Sequence, residues 1–183
     1  MMDSDIASAL LGGNMRTLVF GILCISASLA RADSGTSIEI PKNLLPPPGF
    51  HRISELHGDG VQRYRCGSAS GEAAVWIFES PRADLTDMDG KNVGRHYAGP
   101  TWEAGDGSKI TGKVIEKAAA PDATAIAWLL LKTESAGIPG RFDAVRAVQR
   151  IATSGGMAPP GPCSTPGEML EVPYRAVYVF WGP

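Results

Sequence analysis

Histidine is scarce in this sequence, cysteine nearly so, and neither sign of charge dominates. Three histidines and three cysteines stand among 183 residues, and the formal net charge is −2. That scarcity leaves few ways to build a metal centre, because two body cysteines far apart in sequence do not make a ligand set. "DMDGKN", from Asp87, begins like a calcium loop, but its twelfth position is Ala98 where a glutamate is needed. We therefore expect neither a metal nor a cofactor. No basic run or face stands out, which argues against a nucleic-acid partner. G-x-S-x-G, phosphate-loop and dinucleotide patterns are all absent, which removes the common signatures of serine hydrolases and nucleotide enzymes. Ser154, in "TSGGMAP", stands beside two glycines that can form an anion nest, though Ser-Gly-Gly is far more often a loop. Uninterrupted apolar runs are too short to span a membrane.

What is abundant is glycine and proline, 22 and 14 residues, in a chain that is 44% hydrophobic. This composition implies a globular protein with many turns and few long helices. From Met15 the chain reads "MRTLVFGILCISASLARADSG". Arg16, the apolar stretch Thr17 to Leu29 and Ala30-Arg31-Ala32 have the order of a secretory signal. We expect residues 1–32 to be removed after Ala32, with Met15 as the true start and a periplasmic or secreted domain over 33–183. Lipidation at Cys24 is not expected, because Gly-Ile-Leu precedes it where a small residue is needed. In an oxidising compartment the remaining pair, Cys66 and Cys163, is expected to form a disulfide.

The body reads as strands between turns. Three consecutive prolines in "IPKNLLPPPGF" mark an extended lead-in. "GVQRYRCG" alternates, with Gln62, Tyr64 and Cys66 on one face. "AAVWIFES" is apolar on both faces, as a strand covered on both sides would be. "DMDG" reads as a turn, and "KITGKVIEK" places Ile110, Gly112 and Val114 together. "AIAWLLLK" is a second continuous apolar run of strand length. "RFDAVRAVQRIAT" fits a helix capped by Asp143 or a strand, and its bracketing turns favour the strand. "EVPYRAVYVFW" turns Val172, Tyr174, Ala176, Tyr178 and Phe180 to one side, with Pro173 marking an edge. Together these predict an all-β, single-domain antiparallel sandwich or barrel with Gly/Pro-rich loops.

One passage concentrates chemistry. "GRHYAGPTWEAGDGSKITGK", residues 94–113, holds His96, Tyr97, Trp102, Glu103, Asp106 and five glycines. Gly99-Pro100 and Asp106-Gly107 are turn dipeptides, so the passage reads as paired strands with a hairpin at "EAGDGSK". His96 has the residue type of a general base at neutral pH, Glu103 and Asp106 can orient it, and Trp102 can offer an apolar wall or a sugar platform. The plainer alternative makes His96 a hydrogen-bonded core residue, with Tyr97 and Trp102 packed beside it.

The stretch "VGRHYAGPTWEAGDGSKITG" resembles a family of exported bacterial and fungal proteins catalogued as domain of unknown function 3455. The resemblance continues through "IAWLLLK", "VQRIATSGGMAP", Cys163 and "VPYRAVYVFW", from about Pro46 to Trp181. Residues 143–152 depart from it in being richer in alanine. The resemblance implies a secreted single-domain protein and carries no activity, substrate or catalytic residue. On the residues themselves, the first expectation is a non-enzymatic domain that binds a small molecule, glycan or envelope component through His96, Tyr97, Trp102 and Glu103. The second is a hydrolase or lyase with His96 as base and Glu103 or Asp106 as its partner. The third is a structural envelope protein in which the motif is core and turn.

Overall fold

The computed structural model describes residues 38–68 and 73–183. The expected signal segment through Ala32, the start at Met15 and Cys24 lie outside the described residues. Eight strands follow one another: β1 (His51–Gly67), β2 (Val75–Thr86), β3 (Asn92–Tyr97), β4 (Thr101–Ala104), β5 (Lys109–Ala118), β6 (Trp128–Ser135), β7 (Ala147–Gly155) and β8 (Met169–Gly182). Each pairs antiparallel with the next, and β8 pairs with β1, so the sheet closes into a barrel. Closure leaves no edge strand to template aggregation. Of the two architectures predicted, the closed ring is the one formed, although it is not a regular barrel. Among the described residues there is no α-helix, only a 3-10 turn at Lys42–Leu44.

Strand alternation decides what fills the ring. Leu56, Leu85, Ala104, Ile110, Phe142, Val145, Val148 and Phe180 form a continuous buried cluster with Trp102, Leu131 and Tyr178. Phe142 is carried by the turn after β6 and stacks on Phe180 at 4.8 Å between ring centroids. Asp106 holds that turn in place. Its carboxylate accepts the Arg141 N–H at 2.8 Å and the Ser108 hydroxyl at 2.6 Å, while Ser108 Oγ accepts the Phe142 N–H. These hydrogen bonds pull the Asp106 pKa down to about 2, the Ser108 bond contributing most.

Two glycines make room for the aromatics. A Cβ at Gly58 would lie 2.6 Å from Tyr178 Cε2, and one at Gly112 would lie 2.8 Å from Trp102 Cζ3. Neither position tolerates a side chain without moving a ring.

A second apolar cluster sits outside the ring. Leu44, Ile40 and Phe50 pack on Trp128, Leu130, Ala147 and Trp181. The lead-in is therefore a cover, anchored where Gln149 Nε2 donates to the Leu44 carbonyl at 2.6 Å. This explains the continuous apolar run in β6: Leu129 and Leu131 face inward while Trp128 and Leu130 face the lead-in.

The expectation for "AAVWIFES" is corrected. Val75 and Ile77 are 45% and 39% exposed, because the lead-in covers β6 to β8 and not this end of β2, while Phe78, paired with Tyr64, turns to the inner face and is 51% exposed at the open side of the ring. Two smaller corrections follow. The lead-in is not extended throughout, since Lys42–Leu44 makes one 3-10 turn. In "RFDAVRAVQRIAT" only Ala147 onward is strand; Arg141–Ala144 are turn residues, and Asp143 caps no helix but accepts the Ser135 hydroxyl. The Pro173 expectation has a clear basis: β7 pairing stops at Gly155 opposite Tyr174, so Pro173 meets β1 alone.

Cys66 and Cys163 are disulfide-bonded, with Cα atoms 5.8 Å apart and a sequence separation of 97. The bridge fixes the loop after β7 against the end of β1. Backbone bonds from Gly167 N–H to Cys66 O and from Cys66 N–H to Glu168 O reinforce it.

Candidate functional site

The passage 94–113 forms β3, the turn at Gly99-Pro100, β4, the hairpin turn at Asp106-Gly107 and the start of β5. Pairing sets His96 opposite Trp102 and Arg95 opposite Glu103. Neighbours on a strand face opposite ways, so the passage sends its chemistry in two directions. His96 and Trp102 point into the barrel. Tyr97 and Glu103 point outward, where the Tyr97 hydroxyl donates to Glu103 Oε2 at 2.5 Å and Arg95 donates to Oε1 at 3.0 Å. The Arg95 guanidinium also lies 5.4 Å from the Tyr97 ring centroid. The Tyr97 hydrogen bond, then Arg95, lowers the Glu103 pKa, and the same bond raises that of Tyr97. Asp106 stays in the hairpin turn. The four residues expected to form one site are thus divided between the two faces of the sheet.

Inside, His96 is 2% exposed and stacks on Trp102 with centroids 4.5 Å apart and planes 17° from parallel. Tyr178 stands 5.1 Å from His96 and 5.7 Å from Trp102. His96 Nδ1 lies 2.8 Å from the Thr101 carbonyl, which only accepts, so Nδ1 carries the proton and Nε2 an unshared pair. Burial pushes the His96 pKa down to about 3, so the ring is neutral across the physiological range. Neither Glu103 nor Asp106 bonds to it.

These three rings divide the barrel interior. On one side lies the filled core described above. On the other is a cavity of about 480 Å³, lined mainly by apolar and aromatic groups. His96, Trp102, Leu131 and Tyr178 line it together with Gln62, Tyr64, Phe78, Leu129 and Ile126. Met157, from the loop that the disulfide holds, stands with Val114 and Phe78 as its more exposed members. The Tyr64 hydroxyl donates to Gly156 O at 2.6 Å, which ties the loop to β1. Tyr174 and Tyr178 share a hydrogen bond at 3.0 Å within the ring. Burial raises the pKa of Tyr64, Tyr174 and Tyr178, so all three hydroxyls stay protonated.

Two charged residues line this cavity, Glu79 and Arg150, and Glu79 is paired with Arg65 at 2.6 Å. Arg150 faces inward from β7 in register with Tyr178, and its Nε and Nη2 donate to the Ala127 carbonyl at 3.1 and 2.8 Å. Sequence reasoning missed Arg150, although Val148 and Arg150 alternate on one face and a lone charge on a buried face is a readable signal. It did group Gln62 with Tyr64 and Tyr174 with Tyr178, as inward faces and not as a site.

The outer surface differs. A groove of about 760 Å³ runs along Asp59, Arg82, Asp84, Arg95 and Tyr97. Three of its charges are paired, Asp59 with Arg175, Arg82 with Glu171 and Arg95 with Glu103. Such exposed pairs contribute little individually. Among the described residues no three His, Cys, Asp or Glu side chains converge on a metal position, and no helix is long and apolar enough to cross a membrane. In "DMDGKN", Asp87 Oδ1 is occupied by the N–H groups of Asp89 and Lys91, which makes the expected turn.

No curated protein and no solved structure matches the chain. A family model does match, over residues 46–182, an interval that takes in all eight strands and the cavity they enclose. The chain belongs to the family described as "Protein of unknown function (DUF3455)".

Proposed function

We propose that this protein is a non-enzymatic binding barrel that holds a small, largely apolar molecule inside the ring. The observation that carries this reading is the uneven filling of the interior: one half is packed solid, and the other keeps about 480 Å³ open above the His96–Trp102–Tyr178 layer. A preformed, half-open cavity lined by apolar side chains with a few polar groups is the usual form of a ligand site. A glycan fits less well, because Trp102 is buried as a floor and is not presented as a platform. Nothing favours hydrolysis or elimination, because His96 is neutral, buried and bonded to a backbone carbonyl, with no carboxylate beside it.

The test uses the uncharged fluorophore N-phenyl-1-naphthylamine. Saturable binding with one site per chain is expected. Val114→Trp and Leu129→Trp, each of which puts an indole into the cavity, should weaken it at least tenfold while thermal unfolding stays cooperative. Absence of saturation, or equal affinity in both filled variants, overturns the proposal.

A further inference from the structure

Arg150 makes no ion pair among the described residues, whereas the arginines of the outer groove each meet a carboxylate. It spends two N–H groups on the Ala127 carbonyl, and the side chain beside it is the neutral Tyr178 hydroxyl, so no carboxylate answers its charge. A half-buried guanidinium in an apolar cavity is costly unless an anion faces it. A second, independent observation points the same way. Gln62 lines the same cavity, is 2% exposed, and its buried Nε2 has no partner. The buried Trp102 Nε1 is likewise unpartnered. Both unpartnered groups are donors, as is the Arg150 guanidinium beside them, and buried donors in native proteins are rarely left without acceptors. The Arg150 charge is also felt across the cavity, where it opposes the burial that raises the Tyr64, Tyr174 and Tyr178 pKa values.

We infer that the occupant is a small amphiphilic acid, its apolar body against Phe78, Leu129, Leu131 and Tyr178 and its carboxylate paired with Arg150. This rests on the binding reading above and adds the ligand's chemical class. Charge-assisted bidentate contact is what a guanidinium does best, and the dry walls strengthen it.

The experiment titrates the whole oxidised protein with two matched pairs by calorimetry at pH 7.5: decanoate against 1-decanol, and 2-naphthoate against 2-naphthalenemethanol. At least one acid should bind at least tenfold tighter than its alcohol. Arg150→Gln, which keeps an N–H for Ala127, should abolish that preference, bringing the acid-to-alcohol affinity ratio to within about threefold of one. Arg150→Lys should retain most of it. Equal affinity of acid and alcohol in both pairs overturns the acid assignment and leaves the binding reading standing, as does a preference that survives Arg150→Gln. If no member of either pair binds and the uncharged fluorophore also fails, both readings fall together.

Discussion

Replacing His96 with phenylalanine tests the central packing claim, because a buried neutral imidazole leaves a signature in the pH dependence of stability. The folded pKa is about 3 against 6.5 for a free histidine. Between those values the unfolded chain binds a proton that the folded chain refuses, so unfolding gains as pH falls. The stabilisation is complete above 6.5 and is lost as pH descends toward 3. At roughly 1.36 kcal/mol per unit, His96 should cost the native state about 3 kcal/mol between pH 7 and pH 4. Glu103, Asp106 and Asp122 also have lowered pKa values and destabilise the fold in acid, but they are common to both proteins. The difference between wild type and His96→Phe isolates the histidine. Phenylalanine keeps the stack on Trp102 and strands the Thr101 carbonyl, so the variant should start about 1–3 kcal/mol less stable at pH 7. Urea denaturation at half-unit steps should then show the curves converging or crossing by pH 4. Parallel curves, within about 0.5 kcal/mol throughout, would refute the claim that His96 is buried and neutral.

Two further outcomes check the barrel itself. Gly58→Ala drives a methyl to 2.6 Å from Tyr178 Cε2 and should cost about 1–3 kcal/mol, whereas Gly105→Ala, with its nearest atom at 3.7 Å, should stay within about 0.5 kcal/mol; similar urea midpoints for the two would contradict the packing described. Exchanging Cys66 and Cys163 for serine opens a loop whose ends are 97 residues apart and should remove roughly 4 kcal/mol, read from denaturant midpoints; a loss under about 1 kcal/mol would mean that backbone bonds alone hold the cavity rim.

Period-two alternation made much of the barrel legible before any coordinates. Gln62, Tyr64 and Cys66, and again Tyr174, Ala176, Tyr178 and Phe180, turn inward as their spacing implies. The disulfide was equally plain, since two cysteines remained once the expected leader was set aside. What alternation cannot show is which strands a distant segment will cover. β2 and β6 carry similar apolar runs, but the lead-in lies over β6, and only contacts distant in sequence decide that. The motif at 94–113 misled in a related way. His96 and Tyr97 are adjacent in sequence, and adjacency on a strand guarantees opposite faces. Arg150 went unnoticed because it sits in a segment whose helix and strand periodicities compete, and its direction depends on which one wins.

The division of the interior follows from where the large side chains fall along each strand. At one end β1, β2, β4, β5 and β8 contribute Leu56, Leu85, Ala104, Ile110 and Phe180, and the Phe142 turn closes the gap they leave. Midway, glycines at 58 and 112 let Tyr178 and Trp102 reach across the ring and meet His96. Beyond that layer the inward positions on β1 and β7 include the polar Gln62 and Arg150, and the loop residues that reach the space, Ile126 and Met157, line it without filling it. A barrel selected for stability alone would place leucine at both positions, because an unpaired guanidinium and an unpartnered amide in a half-buried site are each destabilising. The chain keeps them opposite an aromatic floor, behind a rim fixed by its one disulfide, and so maintains an open, donor-lined space at a cost that packing would otherwise have removed. That cost is the physical argument for an occupant, and the acid-against-alcohol comparison measures whether Arg150 is the reason it is borne.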